Sequence, residues 1–151
     1  MLFMGEGFRV HATSDTTGGG FLIAEITSRP GGGPRHMHAH EAAEQYMCLQ
    51  GEITVITEEG ATVLAAHDSA TIRPWLAHTY RNLSDEPARL LCTLSPPHEM
   101  EAFLREVCDA VDDPSAPLPA VTPEQSDHAM QVAARHGMRI LGEYDPAVLG
   151  G

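Results

Sequence analysis

The sequence predicts an all-β domain, an antiparallel sandwich or barrel, with two helices packed against it towards the C-terminus. Two observations carry this expectation. Residues 7 to 95 divide into short, regularly spaced strand-like runs separated by turn residues, with no parallel βαβ pattern among them. Beyond residue 95 the apolar positions 100, 103, 104, 107, 108 and 111 fall on one helical face. Many short strands must close on themselves or stack, because nothing else hides so many apolar faces and edges. At 151 residues the chain has the size of one domain, with a barrel at about 7–95 and a helical extension at about 97–151.

Each element has its own signal. GFRVH and FLIAEIT flank the loop SDTTGGG, and EQYMCLQ and EITVIT flank Gly51. ATVLA follows the turn at residues 58 to 60, and SATIR, AHTYRN and ARLLCTL complete the strands. The stretch 112–123 contains four prolines and reads as an extended connector. Thr122 and Gln125 then form a capping box with Pro123 at the first helical position, which predicts a second helix to about Gly137. MRILGEYDP adds one short strand, and the last residues are expected to fray.

Composition narrows the function. The net charge is −12 and no run of Lys or Arg occurs, so neither nucleic acid nor an anionic membrane surface is an expected partner. No segment approaches the roughly 20 apolar residues of a membrane span and no leader is visible, so a cytoplasmic protein is expected. Cys48, Cys92 and Cys108 are an odd count without CxxC spacing, which suggests buried thiols rather than disulfides or a thiolate site. The glycine triplets at 18–20 and 31–33 are read as turns, since neither is followed by the Gly-Lys-Ser/Thr of a phosphate loop.

The informative segment is GGGPRHMHAHEAAEQYMCLQGE. On an extended strand His36, His38 and His40 point to the same face. Positions two apart lie about 6.6 Å from each other and positions four apart about 13 Å, so at most two of the three can share one ion unless the strand bends. Glu44 opens the next strand and can turn its carboxylate inward with Tyr46 and Cys48. His78 offers a further imidazole from across the barrel, on a strand that also carries Tyr80 and Asn82.

These residues resemble the cupin superfamily. Its first motif, Gly-x5-His-x-His-x3or4-Glu-x6-Gly, is met by Gly32, His38, His40, Glu44 and Gly51. Its second, Gly-x5-Pro-x-Gly-x2-His-x3-Asn, is met in part. His78 and Asn82 match, but Pro74 comes one place late, and the two glycine positions are taken by His67 or Asp68 and by Trp75 or Leu76. The resemblance implies an antiparallel jelly-roll β-barrel holding one divalent metal ion through His38, His40, Glu44 and His78. A narrower similarity, carried by TGGGFLIAEIT, LQGE, HTYRN, SDEPARLL and the ILG tail, is to bacterial single-domain cupins of the quercetin 2,3-dioxygenase-like kind.

Three imidazoles and a carboxylate without thiolate suit iron, the expected metal, and also manganese, nickel, cobalt, copper or zinc. The leading expectation is a dioxygenase of an enolic aromatic, flavonol-like or polyketide-like small molecule, with Glu44, His36 and Tyr80 as acting groups and Met37, Tyr46, Cys48 and Trp75 around the substrate. The alternatives are a non-redox metal enzyme (cyclase, isomerase, lyase or decarboxylase) and a binding or sensor protein. A homodimer is expected, because the apolar N-terminal strand needs a sheet edge to cover it.

Overall fold

The computed structural model describes residues 1–111, 113 and 116–150. Its elements are β1 (Leu2–Phe3), β2 (Glu6–Ala12), α1 (Ser14–Thr17), β3 (Leu22–Ser28), β4 (His36–Ala39), β5 (Ala43–Gln50), β6 (Glu52–Thr57), β7 (Gly60–Ala65), β8 (Ser69–Ile72), β9 (His78–Arg81), β10 (Ala88–Ser95), α2 (His98–Val107), α3 (Pro123–Arg135), β11 (Arg139–Glu143) and a closing 3-10 turn (Pro146–Gly150). Of the proline-rich connector, positions 112, 114 and 115 lie outside the described residues.

The strands form two antiparallel sheets, in the orders β1-β2-β3-β10-β5-β8 and β11-β4-β9-β6-β7. Alternation in the sequence becomes alternation in burial: β3 reads buried and half-buried in strict turn, and β10 nearly so. Inner-face residues from both sheets, among them Leu22, Tyr46, Leu90, Ile53, Val55 and Tyr80, share one core. Met100, Phe103 and Leu104 of α2 and Val132 and Ala133 of α3 belong to the same core, so these helices cover one mouth of the space between the sheets.

Local chemistry changed three expectations. The loop SDTTGGG contains a helical turn, because Thr13 and Thr16 cap it reciprocally and Gly18 ends it in the left-handed region (φ 62°). The last described segment packs on the fold rather than fraying from it: Tyr144 and Val148 lie against Met37, Ile56 and Ala77. The N-terminal strand finds its edge within the chain, since β1 folds back on β2 (Leu2↔Gly7, Phe3↔Glu6) and Phe3 stacks edge-on against Phe103 at 5.4 Å. That pairing makes β1 the outer strand of its sheet.

The two substituted glycine positions of the second motif keep a glycine-like backbone. His67 has φ 76° and Trp75 has φ 64°, both left-handed. Both are tied down: His67 N–H donates to Cys48 O at 2.8 Å, and Trp75 N–H donates to His40 O at 2.8 Å. The turn geometry is therefore retained at a cost of roughly 1–2 kcal/mol per L-residue.

Candidate metal centre and its cavity

β4 and β9 pair with His38 directly opposite His78. His40 stands one residue beyond the end of β4, where the Trp75 amide holds its carbonyl. Glu44 comes from β5 in the other sheet. The three imidazole rings converge, with centroids 4.5 Å (His38–His78), 5.0 Å (His40–His78) and 5.7 Å (His38–His40) apart. One donor atom from each of His38, His40, Glu44 and His78 lies within 4.8 Å of all the others, and all four residues are buried.

The donor set fits a divalent ion for a reason that can be read from its outer contacts. His40 Nδ1 lies 2.9 Å from Ala42 O and His78 Nδ1 lies 2.8 Å from Leu76 O, with a longer contact of 3.4 Å from His38 Nδ1 to His36 O. A carbonyl only accepts, so each Nδ1 carries its proton and turns Nε2 towards the cluster. There, His40 Nε2 and His78 Nε2 each lie 3.0 Å from Glu44 Oε2. Such a nitrogen–carboxylate approach requires a cation, either an imidazolium proton or a metal ion taking its place.

Electrostatics agree. Burial would raise the Glu44 carboxyl, but the hydrogen bonds and charges of His40 and His78 hold it well below 4.5, so it is a carboxylate. Burial, reinforced by the charge of His78, pushes His38 down to about 3 and keeps it neutral, as a metal ligand must be. For His78 burial pulls the value down, yet the Glu44 contact outweighs it and the net shift is upward.

The group opens on a cavity of about 130 Å³, apolar apart from a few side chains and roofed by Phe3, Phe8, Met100 and Phe103. His36 lines this cavity but stands apart from the cluster of ligand atoms, as the strand spacing required. Tyr46 and Tyr80 also line it, their rings 5.4 Å apart.

Three residues expected at the substrate lie elsewhere. Met37 points to the opposite face of β4, where it packs with Ile56 and Ala77, because neighbours on a strand alternate. Cys48 is buried beyond the cavity, its thiol directed at Gln50 O and Gly51 O. Trp75 is 43% exposed, with the Arg139 guanidinium 4.4 Å from its ring centre.

Two further residues reach the cavity without having been expected there. Cys92, opposite Tyr46 on β10, donates its thiol to Glu44 Oε1 at 2.9 Å, and burial next to that carboxylate raises it well above the usual thiol range. Glu6, only 2% exposed, accepts from Ser28 Oγ (3.1 Å), Gly33 N (3.0 Å) and Tyr80 Oη (3.2 Å). Gly32, the first glycine of the histidine motif, leaves the room this carboxyl fills, since a Cβ there would overlap Glu6 Oε1. Burial lifts Glu6 to about 7 despite those three donors and the charge of Arg29. For Cys92, the period-two alternation of ARLLCTL was an available signal; for Glu6 none existed, because the N-terminal hairpin that brings it inward is a tertiary event.

Fold and site together define a two-sheet β domain that encloses three histidines and a glutamate able to hold a metal ion. Residues 24–94 match the family model described as a cupin domain, and that match, with the structural neighbours, supports the cupin superfamily. The TT1209 protein from Thermus thermophilus is similar over 60% of this chain and 83% of its own (27% identity, TM-score 0.54). An RmlC-like cupin from Shewanella frigidimarina shares the fold over 65% of this chain and 82% of its own (21% identity, TM-score 0.56). A predicted oxalate decarboxylase from Thermotoga maritima does so over 59% and 78% (16% identity, TM-score 0.55). No curated protein sequence matches the chain.

Proposed function

We propose that the protein is a metal-dependent cupin enzyme on a jelly-roll barrel, acting on a small enolic molecule. The observation that carries the reading is the buried set of His38, His40, Glu44 and His78, with its Nδ1 protons engaged by backbone carbonyls, opening on an apolar cavity. The four residues would hold one divalent ion, iron first among those that suit them, which when bound supplies Lewis acidity and, for a redox metal, access to O2.

The chain's own groups do the rest. Apolar walls from Phe3, Phe8, Met100 and Phe103 exclude water and take up the body of the substrate. Tyr80, its hydroxyl committed to Glu6, and Tyr46 flank the bound molecule, and His36 sits at the wall beside the ligands. Cys92 holds one oxygen of Glu44, leaving Oε2 towards His40 and His78.

The leading reading is a dioxygenase, quercetinase-like in its use of an enol. Size refines it: a cavity of roughly 150 Å³ takes one benzene, whereas pockets for drug-sized ligands run to roughly 300–1,000 Å³. At about 130 Å³ the substrate is a single ring or a short chain rather than a three-ring flavonol. A non-redox reaction, such as isomerisation or decarboxylation of an enolisable carbonyl, is the second reading, favoured by the carboxyl of Glu6 in the same cavity. A sugar phosphate isomerase of the cupin superfamily and a predicted oxalate decarboxylase are among the fold neighbours. A cytoplasmic homodimer belongs to the same proposal, and light scattering on the purified protein measures its oligomeric state.

Metal analysis of protein purified without added metal, alongside His38→Ala and His78→Ala, tests the reading. About one equivalent of iron, manganese, nickel or cobalt in the wild type and none in the variants supports it, and oxygen uptake with small enolic compounds then separates the two chemistries. Zinc alone moves the non-redox reading ahead. Protein that carries no metal and takes none up refutes both.

A further inference from the structure

We propose that Glu6, oriented by Tyr80, is a second catalytic group of this cavity, a proton acceptor and donor for a substrate small enough to reach it from the metal-ligand group. The inference rests on the function proposed above and adds to it the residue that moves the proton. Glu6 stands on β2, outside both histidine motifs, yet it lines the cavity together with His36, His38 and Glu44.

Among the described residues, Oε1 accepts from both Ser28 and Gly33, while Oε2 accepts from Tyr80. A carboxylate oxygen has two lone pairs, so Oε2 can accept a ligand proton beside the Tyr80 hydroxyl. The charged and titratable groups that face it are Tyr80 from β9 and Arg29 just past β3, with Arg35, His36 and His38 around β4, Glu44 and Tyr46 from β5 and Cys92 from β10 along the cavity. Because burial places its titration near 7, Glu6 can take a proton and give it back at neutral pH.

The step balances without an oxidant. Glu6 Oε2 takes the proton from the enol hydroxyl, or from the carbon next to the carbonyl, and the electron pair stays on the substrate as the enolate. The carboxylic acid so formed returns the proton to carbon or oxygen of the same molecule. A dioxygenase needs the first half of this exchange, and an isomerase needs both.

The test uses zinc-loaded protein carrying 13C-labelled glutamate, with pentane-2,4-dione as the probe. The carboxyl resonance missing in Glu6→Gln is expected to titrate near pH 7 and to shift when the diketone binds. The pH dependence of enolate uptake, followed by absorbance, is expected to lose its inflection in Glu6→Gln at unchanged zinc content. A Glu6 resonance unmoved by bound diketone, or the same pH dependence in the variant, overturns the role of Glu6 and leaves the proposed function standing. Zinc-loaded protein that binds no diketone refutes the enolic reading itself, and this inference with it.

Discussion

Replacing Glu6 by Gln has a consequence for stability whose size and sign follow from its surroundings. The carboxyl is buried, and its folded-state value is lifted from 4.5 to about 7, with burial outweighing the donors Ser28, Gly33 and Tyr80. A raised acid binds its proton more tightly in the folded than in the unfolded chain, so the folded state loses stability as pH rises from the unfolded value through the folded one. Below pH 4.5 the group is protonated in both states and contributes nothing. Between 4.5 and about 7 the loss accumulates at 1.36 kcal/mol per pH unit, to a total of about 3 kcal/mol above that range. Gln has nearly the same shape and no charge, so the variant escapes the loss. The stability difference, variant minus wild type, is therefore expected to rise with pH by about 3 kcal/mol across this window. Urea unfolding at closely spaced pH values measures it, and taking the difference cancels the titration of every other group. A difference that stays flat between pH 5 and 8 would mean that Glu6 is ionised at an ordinary value, and the desolvation argument would fail.

Other substitutions probe the rest of the site. Cys92→Ala removes the donor to Glu44 Oε1, and the affinity for zinc, read by competition with a chromophoric chelator, is expected to fall about 10–100-fold. His67→Gly relieves an exposed left-handed residue by roughly 1–2 kcal/mol, less about 0.4–1 kcal/mol for the freer unfolded chain. A gain of about 0.5–1 kcal/mol in chemical denaturation is the expected result. Trp75→Gly gives the same relief but forfeits the Arg139 contact, worth about 0.5–1 kcal/mol, so it is expected to be close to neutral in the same assay. Gly32→Ala puts a methyl group against Glu6 Oε1 and, at 2.7 Å, against Ser28 Oγ; a loss of about 1–3 kcal/mol is expected, together with a changed Glu6 titration.

The strand pattern, the capping box at Thr122 and Gln125, and the four residues that converge into a group able to hold a metal ion were all legible in the order of the amino acids. They were legible because they are local properties: period-two alternation fixes which side chains of a strand share a face, and a cap is closed within four residues. The limit that His36 cannot join His38 and His40 around one point follows in the same way, from strand rise alone. Where the sequence put Met37, Cys48 and Trp75 near the substrate, proximity to a motif stood in for direction. Alternation turns Met37 away, and the chain's path past the cavity takes Cys48 and Trp75 out of reach. What surrounds the ligands was settled by the packing of distant segments. Cys92 meets Glu44 because β10 pairs with β5 in one particular register, and Glu6 meets Tyr80 because a hairpin 74 positions earlier in the chain folds over the mouth of the cavity. Those contacts depend on which distant strands lie side by side, and on the water they exclude together, and no local pattern of residues encodes either.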